Sequence, residues 1–285
     1  MTTLTNKIDF AVIVSVKNAN PNGDPLNGNR PRYNYDGYGE ISDVAIKRKI
    51  RNRLMQEQKS IFVQSDDSKL DDYPSLRKRA EGEIAKGDWK DEKVFRKAVC
   101  EKWMDVRAFG QVFAYGSEKK GEGVSVGIRG PVSIHPAFSK SPVLDRVSSI
   151  QITKSVSGEG DGTKRASDTM GMKHRVDHGV YVFYGSMNPQ LATKTGFSDE
   201  DAQAIKEALR TLFRNDASSA RPEGSMEVYK LYWWEHNTPN GQYSSAKVHR
   251  LLTIERQMDM PSSIEDYAIT LNALPGLECE VIEGE

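Results

Sequence analysis

The residues of this chain best suited to chemistry form a run of cations with no acid among them. Between positions 46 and 53 the basic side chains are Lys47, Arg48, Lys49, Arg51 and Arg53. Ammonium and guanidinium groups at this density attract phosphates and other anions. The segment 278–285 has the opposite character, with four glutamates and no base. Patches of opposed sign also suit head-to-tail association of identical copies.

The charge of the whole chain hides this segregation. The sequence has 40 Lys+Arg against 40 Asp+Glu, a formal net charge of zero. A score based on net charge would exclude nucleic-acid binding, but the local sign of a surface decides what it attracts.

Histidine is the other residue type that could do chemistry. His174 and His178 are four residues apart, but there is no HExxH motif and the glycines around them favour a strand or loop. We therefore expect a surface or hydrogen-bonding role for both. No phosphate-loop motif, GxSxG motif or cysteine–histidine pairing stands out. The sequence predicts no catalytic residue, no metal site and no cofactor.

Length and composition indicate a polar, soluble protein. The chain has 285 residues, 37% of them hydrophobic, with a mean hydropathy of -0.62. This length suits one core domain with large insertions. We expect no secretory signal and no membrane association, because no apolar run approaches the roughly 20 residues of a membrane span. Two cysteines, Cys100 and Cys279, fit a reducing cytoplasm.

The N-terminal part reads as a strand, a loop and a helix. Apolar residues alternate from Ile8 to Val16, which predicts a strand. Turn formers fill positions 18–25, and the loop continues to about Glu40. Ser42 is the expected N-cap of a helix whose apolar stripe is Ile46, Ile50 and Leu54.

The middle of the chain reads as an insertion and a glycine-rich stretch. Residues 60–107 form the insertion, with a helix expected from Lys90 to Arg107. The expected core face of that helix is Val94, Phe95, Val99, Trp103 and Val106. A strand is expected from Val124 to Ile134. Gly110, Gly127 and Gly130 should lie where the backbone is closely approached by a binding partner or takes a positive φ.

The rest reads as a long hairpin followed by a helix and a strand. One limb is Val147 to Val156, the tip is 157–162, and the other limb leads into the strand 180–184. A helix is expected from Asp199 to Asn215, with Ser198 and Asp201 at capping-box spacing, then a strand from Met226 to Trp234. Without the insertions the order is β-α-β-β-α-β, an α+β class.

Four segments in this order resemble one family. Residues 18–25 read NANPNGDP and are followed by Arg30-Pro31-Arg32; residues 47–51 read KRKIR after Ser42-Asp43; residues 105–113 read DVRAFGQVF; and residues 168–171 read DTMG, with Lys173-His174 after them. Together they resemble the backbone subunits (Cas-seven family, RAMP superfamily) of type I-C CRISPR Cascade. Type I-B is the alternative subtype. The resemblance spans roughly residues 8–190.

The resemblance implies a modified ferredoxin-like or RNA-recognition fold. Its parts would be a palm (about 1–59, 108–146 and 178–285), a helical finger insertion (60–107) and a β-hairpin thumb (147–177). It also implies that several copies stack along a CRISPR RNA without cutting it. Further partners would be target DNA paired to the guide and the other Cascade subunits: the foot or processing subunit, the large subunit and the small subunit.

A protein that holds any guide sequence must grip phosphates and sugars rather than read bases. The expected RNA-binding residues are Asn20, Arg30, Arg32, Ser42, Lys47, Arg48, Arg51, Gly127, Arg129, Gly130, Lys164, Arg165, Thr169, Met170, Met172 and Lys173. The sheet lacks the aromatic signature of ordinary RNA-recognition modules, so we do not expect bases to stack on it.

The thumb carries a sharper expectation. Met170 and Met172 lie between basic residues, and a flexible apolar side chain can act as a wedge that turns one base out. Alternatively, both methionines pack against a neighbouring subunit.

Two other functions remain open. One is a metal-independent endoribonuclease that trims guide precursors, with His174 or His178 acting beside Tyr181 or Tyr184. The other is an assembly module that makes no contact with RNA.

Overall fold

A computed structural model describes residues 2–115, 124–153 and 170–285 of the chain. Its strands are β1 Ile8–Ala19, β2 Gly23–Asp24, β3 Arg30–Pro31, β4 Tyr38–Ile41, β5 Gly110–Tyr115, β6 Val124–Arg129, β7 Val132–Ile134, β8 Ala137–Pro142, β9 Val147–Thr153, β10 Met170–Met187, β11 Met226–Glu235, β12 Leu252–Arg256, β13 Tyr267–Leu271 and β14 Glu280–Glu283. Its helices are α1 Asp43–Gln56, α2 Leu76–Glu83, α3 Glu92–Lys102, α4 Met104–Phe109, α5 Pro189–Thr195, α6 Asp199–Arg210 and α7 Ser245–His249. Among these helices none has the length and apolar character needed to cross a membrane.

A large antiparallel sheet organises the molecule, which is of the mixed α+β class. Six strands follow the order β14-β11-β1-β10-β8-β4, and β7 and β9 pair with other parts of the long strand β10. At the centre of β1, Val12 pairs with Phe183 on one side and with Leu231 on the other. The sheet is built around β1, in which eight of the twelve side chains are apolar.

Both faces of the sheet are covered over much of their area. On the first face, Phe10, Val12 and Phe183 pack against the apolar stripes of α1 and α6. On the second face, Ile13 and Val182 pack against the segment that carries α7, β12 and β13. Each fully buried side chain of this size contributes about 1.5–3 kcal/mol relative to an exposed one. The alternating apolar pattern of β1 therefore does not indicate a solvent-exposed face, because Ala11 and Ile13 are as buried as Phe10.

The insertion has a hydrophobic core of its own. Phe62, Phe95, Trp103 and Phe113 pack together, with the rings of Phe62 and Trp103 4.6 Å apart. Phe113 comes from β5, so the hairpin of β5 and β6 packs with the insertion rather than with the large sheet.

Several expected boundaries differ in the structure. The single helix expected from Lys90 to Arg107 is two helices, because Trp103 is extended (φ -118°, ψ 121°) and separates α3 from α4. Val94, expected in the core face, is exposed. The strand expected from Val124 to Ile134 divides at Gly130-Pro131, where proline has no N–H to donate to a neighbouring strand.

The C-terminal half follows the expected order with changed lengths. The strand expected at 180–184 is part of the 18-residue strand β10. The helix expected to reach Asn215 ends at Arg210, and its capping box between Ser198 and Asp201 is confirmed. The hairpin tip at 157–162 lies outside the described residues.

Candidate nucleic-acid interface

The loop after β1 fixes the start of the basic helix. Asn22 Oδ1 accepts hydrogen bonds from both the backbone N–H and the hydroxyl of Ser42, each at 2.9 Å. Ser42 Oγ in turn accepts from the backbone N–H of Ala45, which caps α1 as expected. The asparagine-rich loop and the N-terminus of α1 are therefore one unit.

The same loop is closed by Asn20. Its Nδ2 donates to the carbonyl of Asn29 at 2.7 Å, and its backbone N–H donates to the carbonyl of Ala220. The side-chain oxygen of Asn20 is buried and has no hydrogen-bond partner in the described part of the chain. Of the two arginines of this loop, Arg32 forms an ion pair with Asp24 at 3.5 Å, and Arg30 is exposed on β3.

Every cation of the run on α1 has an acidic partner in the fold. Lys47 pairs with Asp43 at 2.9 Å, Arg48 with Asp67 at 3.3 Å and Arg51 with Asp105 at 2.9 Å. The remaining two pairs are Lys49 with Asp216 and Arg53 with Glu57. An incoming phosphate would therefore compete with a carboxylate at each position.

These cations differ in how accessible they are. The Arg48 side chain is 56% exposed, so its exchange between Asp67 and a phosphate costs little. The Arg51 side chain is largely covered. Lys49 is buried against Asp216; burial lowers the pKa of its ammonium group and the Asp216 charge offsets part of that effect.

The three glycines singled out in the sequence occupy different environments. Gly110 has a φ of +80°, and an added Cβ would lie 2.3 Å from the Ile128 carbonyl oxygen. An added Cβ at Gly130 would meet the Ala108 carbonyl, so close approach of protein backbone explains this glycine. Around Gly127 on β6, an added Cβ meets nothing within 4 Å. Arg129 pairs with Gly110 in the β5–β6 register.

The β9–β10 hairpin has two chemically different faces. Met172 pairs with Gln151, and Lys173 pairs with Ile150. Paired residues share a face, so Met172 lies with His174 on one face, while Ile150, Ile152 and Lys173 lie on the other. The Met172 side chain is 54% exposed. Met170 pairs with Thr153 through its backbone, and Lys164, Arg165 and Thr169 lie outside the described residues.

The base of this hairpin lies beside the loop after β1. His174 is buried, with Nδ1 2.7 Å from the Ser149 hydroxyl. Burial, and then the nearby charge of Arg30, lower the pKa of His174. Strand β3, which carries Arg30, contacts β10, so the loop that holds α1 lies beside the strand that carries His174.

The histidines and tyrosines of the ribonuclease alternative are kept apart. Tyr181 points to the face covered by helices, where burial raises the pKa of its hydroxyl, and His178 points to the other face. Tyr184 is six residues beyond His178, about 20 Å along an extended strand. His174 and His178 are about 13 Å apart by the same rise, too far to share one metal ion. The described ranges contain no cluster of metal-binding side chains.

Sequence reasoning did not single out Asn22, although the motif that contains it was recognised. Its role is visible only once the loop folds back on Ser42. It also did not foresee the acidic partners Asp67 and Asp105, since nothing in a linear sequence marks which distant carboxylate meets a given cation.

The family model of CRISPR-associated protein Cas7 matches residues 6–272 of the chain. A protein of Haloferax volcanii named CRISPR-associated protein Cas7 is 26% identical over 288 aligned residues, which cover 96% of this chain and 83% of that protein. A solved chain described as "CRISPR RNA-guided surveillance complex, pre-nicking" is 12% identical with a TM-score of 0.45 and covers 80% of this chain and 78% of its own length. Another, described as "CRISPR RNA-guided surveillance complex", is 15% identical with a TM-score of 0.44 and covers 80% of this chain and 68% of its own length.

Proposed function

The chain belongs to the CRISPR-associated protein Cas7 family, and from that membership we propose that it binds CRISPR RNA as a backbone subunit of a surveillance complex. Binding is through phosphates and sugars, so that the bases stay free to pair with target DNA. The chain itself does not cut nucleic acid. Type I-C is the proposed subtype.

One observation carries this proposal. The loop of residues 20–32 contacts α1 through Asn22 and Ser42, and its strand β3, which carries Arg30, contacts β10, the strand that carries His174. Residues that the sequence places in three separate segments therefore meet around one loop. Polar and cationic groups with exposed backbone nearby are the groups that grip a nucleic-acid backbone.

We further propose the division of labour that the family implies. The strands β1, β8, β10 and β11 with α1 and α6 follow the order β-α-β-β-α-β and form the palm, a modified RNA-recognition fold. Residues 60–107 form the finger, to which the hairpin of β5 and β6 is packed, and residues 147–177 form the thumb. The other Cascade subunits and further copies of this chain are the proposed protein partners.

Assembly along RNA does not rest on the opposed charge patches. Three of the four glutamates of the C-terminal tail are paired within the chain: Glu280 with Lys206, Glu283 with Lys230, and Glu285 with Arg210 and Arg214. The cations of α1 are paired as well, so the proposed link between copies is a shared guide RNA rather than attraction between these patches.

Purification and sizing test the proposal. The purified protein should carry protected RNA, seen as a raised ratio of absorbance at 260 to 280 nm, and should form long particles that fall to small species after nuclease treatment in high salt. Large particles that persist without RNA would contradict assembly along a guide. Discrete products from repeat RNA in EDTA would instead show the endoribonuclease alternative.

A further inference from the structure

The face of the sheet opposite α1 has a concave region lined in part by aromatic side chains. Here β8 and β10 border an open cavity of about 240 Å³. Its walls include the side chains of His135, Phe138, Lys140 and Tyr184. Phe138 pairs with Val182 in the sheet register, so it lies on the face away from α1 and α6. Phe138 is 41% exposed, so part of its ring faces the cavity rather than the protein core.

Contacts with His249 hold aromatic side chains of this cavity in place. The ring of Tyr184 stacks on the imidazole of His249, with centroids 4.9 Å apart and an interplanar angle of 27°. His135 meets the same imidazole edge-on, at 5.7 Å. His249 is fixed in turn, since its Nε2 lies 3.1 Å from the carbonyl oxygen of Gly185. Rings held in this way lose little freedom when a further ring stacks on them.

The charged side chain that lines the cavity is basic, while the acidic Glu40 lies beside the cavity on the same face of the sheet. Lys140 is the charged side chain among the residues that line it, and no carboxylate lines it. The acid opposite Phe138 on the edge strand is Glu40 of β4. A ligand that fits this wall has a flat aromatic part that can stack on Phe138 and Tyr184 and a negative group that can pair with Lys140.

We propose that this cavity binds one unpaired nucleobase of a single-stranded nucleic acid, stacked against Phe138 and Tyr184, with Lys140 on the adjoining phosphate. The cavity is smaller than the 300–1,000 Å³ typical of sites for drug-sized ligands, so it suits one ring system. Stacking on aromatic side chains is tolerant of sequence because every base has a π-face. From the sequence we expected no stacking of bases on the sheet, because the aromatic signature of RNA-recognition modules is missing. The aromatic wall proposed here combines the β7–β8 connection, β10 and α7 and does not form one sequence motif.

This inference rests on the proposed function, since it needs a bound nucleic acid. The test compares the full chain with Phe138→Ala and Lys140→Ala. The control is Val281→Ala, which removes a similarly exposed (46%) apolar side chain on the same face at the opposite edge of the sheet. The probes are single-stranded RNA and DNA of one sequence carrying 5-iodouracil, which crosslinks to aromatic rings stacked on it.

The expected result is a crosslinked peptide containing Phe138 or Tyr184, with RNA, DNA or both. Phe138→Ala should lower affinity about ten-fold without changing the salt dependence, because stacking releases no counterions. Lys140→Ala should instead flatten the salt dependence, and Val281→Ala should leave both unchanged.

Three outcomes would contradict the proposal that this cavity binds a nucleobase. If the wild type binds RNA, but Phe138→Ala has unchanged affinity and no crosslink forms in this region, nucleobase binding at the cavity is contradicted and the proposed function is unaffected. Loss of association between copies at unchanged RNA affinity would show that a protein side chain occupies the cavity. A wild-type chain that binds no RNA would overturn both the proposed function and the pocket.

Discussion

The Arg51 guanidinium donates through Nε to Oδ2 of Asp105 at 2.9 Å, across the junction between α1 and the insertion. The same carboxylate accepts from the backbone N–H groups of Phe62 at 2.7 Å and Val63 at 3.1 Å. Arg51 also lies over the ring of Phe109, 5.1 Å from its centroid. A side chain that the sequence marks for phosphate binding therefore also attaches the insertion to the helix.

We predict that Arg51 contributes far more to folding than Arg48. Arg51→Ala leaves the buried Asp105 carboxylate without its cation and should lower the free energy of unfolding by about 3 kcal/mol. Arg48→Ala breaks an exposed pair with Asp67 and should cost at most about 1 kcal/mol. Urea unfolding of both variants measures the difference, and equal losses would contradict the structural role of Arg51.

We predict that Lys47 and Arg48 set the salt dependence of RNA binding. Replacing both by alanine should weaken binding to all sequences alike and reduce the slope of log K against log salt by about 0.7 for each lost phosphate contact with single-stranded RNA. Lys97→Ala is the matched control, since Lys97 is an exposed cation on α3 in an i,i+4 pair with Glu101. An unchanged slope in the double variant would exclude α1 from the interface.

We predict that Gly127 and Gly110 respond differently to a larger side chain. Gly110→Val should unfold or strongly destabilise the chain, because of its positive φ and the contact with the Ile128 carbonyl. Gly127→Val has room in the free protein, so it should fold normally and weaken RNA binding if the guide passes close to β6. Circular dichroism and a binding titration separate the two effects. Normal affinity of Gly127→Val would place the guide elsewhere.

We predict that Met170 and Met172 displace guide bases at regular intervals. In the assembled complex, some bases should react with base-specific probes at a fixed spacing, and the pattern should disappear in Met170→Gly with Met172→Gly. Ile150→Gly with Ile152→Gly is the control, because it makes the same kind of change on the opposite face of the hairpin. Uniform reactivity in the unmutated complex would mean that no base is turned out.

We predict that stability falls as the pH drops from about 7.5 to 5.5. The pKa of His178 is lowered, first by burial and then by Arg146, while Asp266 offsets part of the effect. The unfolded chain, with a histidine pKa near 6.5, binds more protons in this range than the folded chain, so stability increases with pH. The pKa values of His174 and His249 are shifted in the same direction.

His178→Gln should therefore flatten, without abolishing, the pH dependence of the urea midpoint. The charged and titratable groups near His178 are Lys17, Arg146, Glu265, Asp266 and Tyr267. None of their side chains is changed in this variant. A pH dependence identical to that of the wild type would show that His178 is protonated equally in both states.

Local features were predictable from the sequence because they depend on neighbouring residues. Ser42 caps α1 and Ser198 caps α6 as expected, since a cap needs only residues within one turn. The apolar stripe Ile46, Ile50 and Leu54 is buried against the sheet, as its spacing indicates. The break at Trp103 was not predictable in this way, because its side chain is drawn into the aromatic core of the insertion.

The candidate site was predictable in composition but not in geometry. The cations of α1 were identified, while their partners Asp67, Asp105 and Asp216 lie 19, 54 and 167 residues from the cations they meet. Whether a cation is free to bind a phosphate depends on these distant partners. The wall of Phe138 and Tyr184 depends likewise on the strand register, which the sequence does not specify.

The separate core of the insertion has an evolutionary consequence. Phe62, Phe95 and Phe113 contact one another and not the large sheet, so this region can change in size and sequence while the sheet stays as it is. The insertion joins the core of the sheet at Ile61 and at α4, where Val106 faces the core of the insertion while Met104 and Ala108 face that of the sheet. Selection should therefore allow fewer amino-acid changes in α4 than in α2 or α3. Relatives should differ most in the parts of the insertion that are farthest from α4.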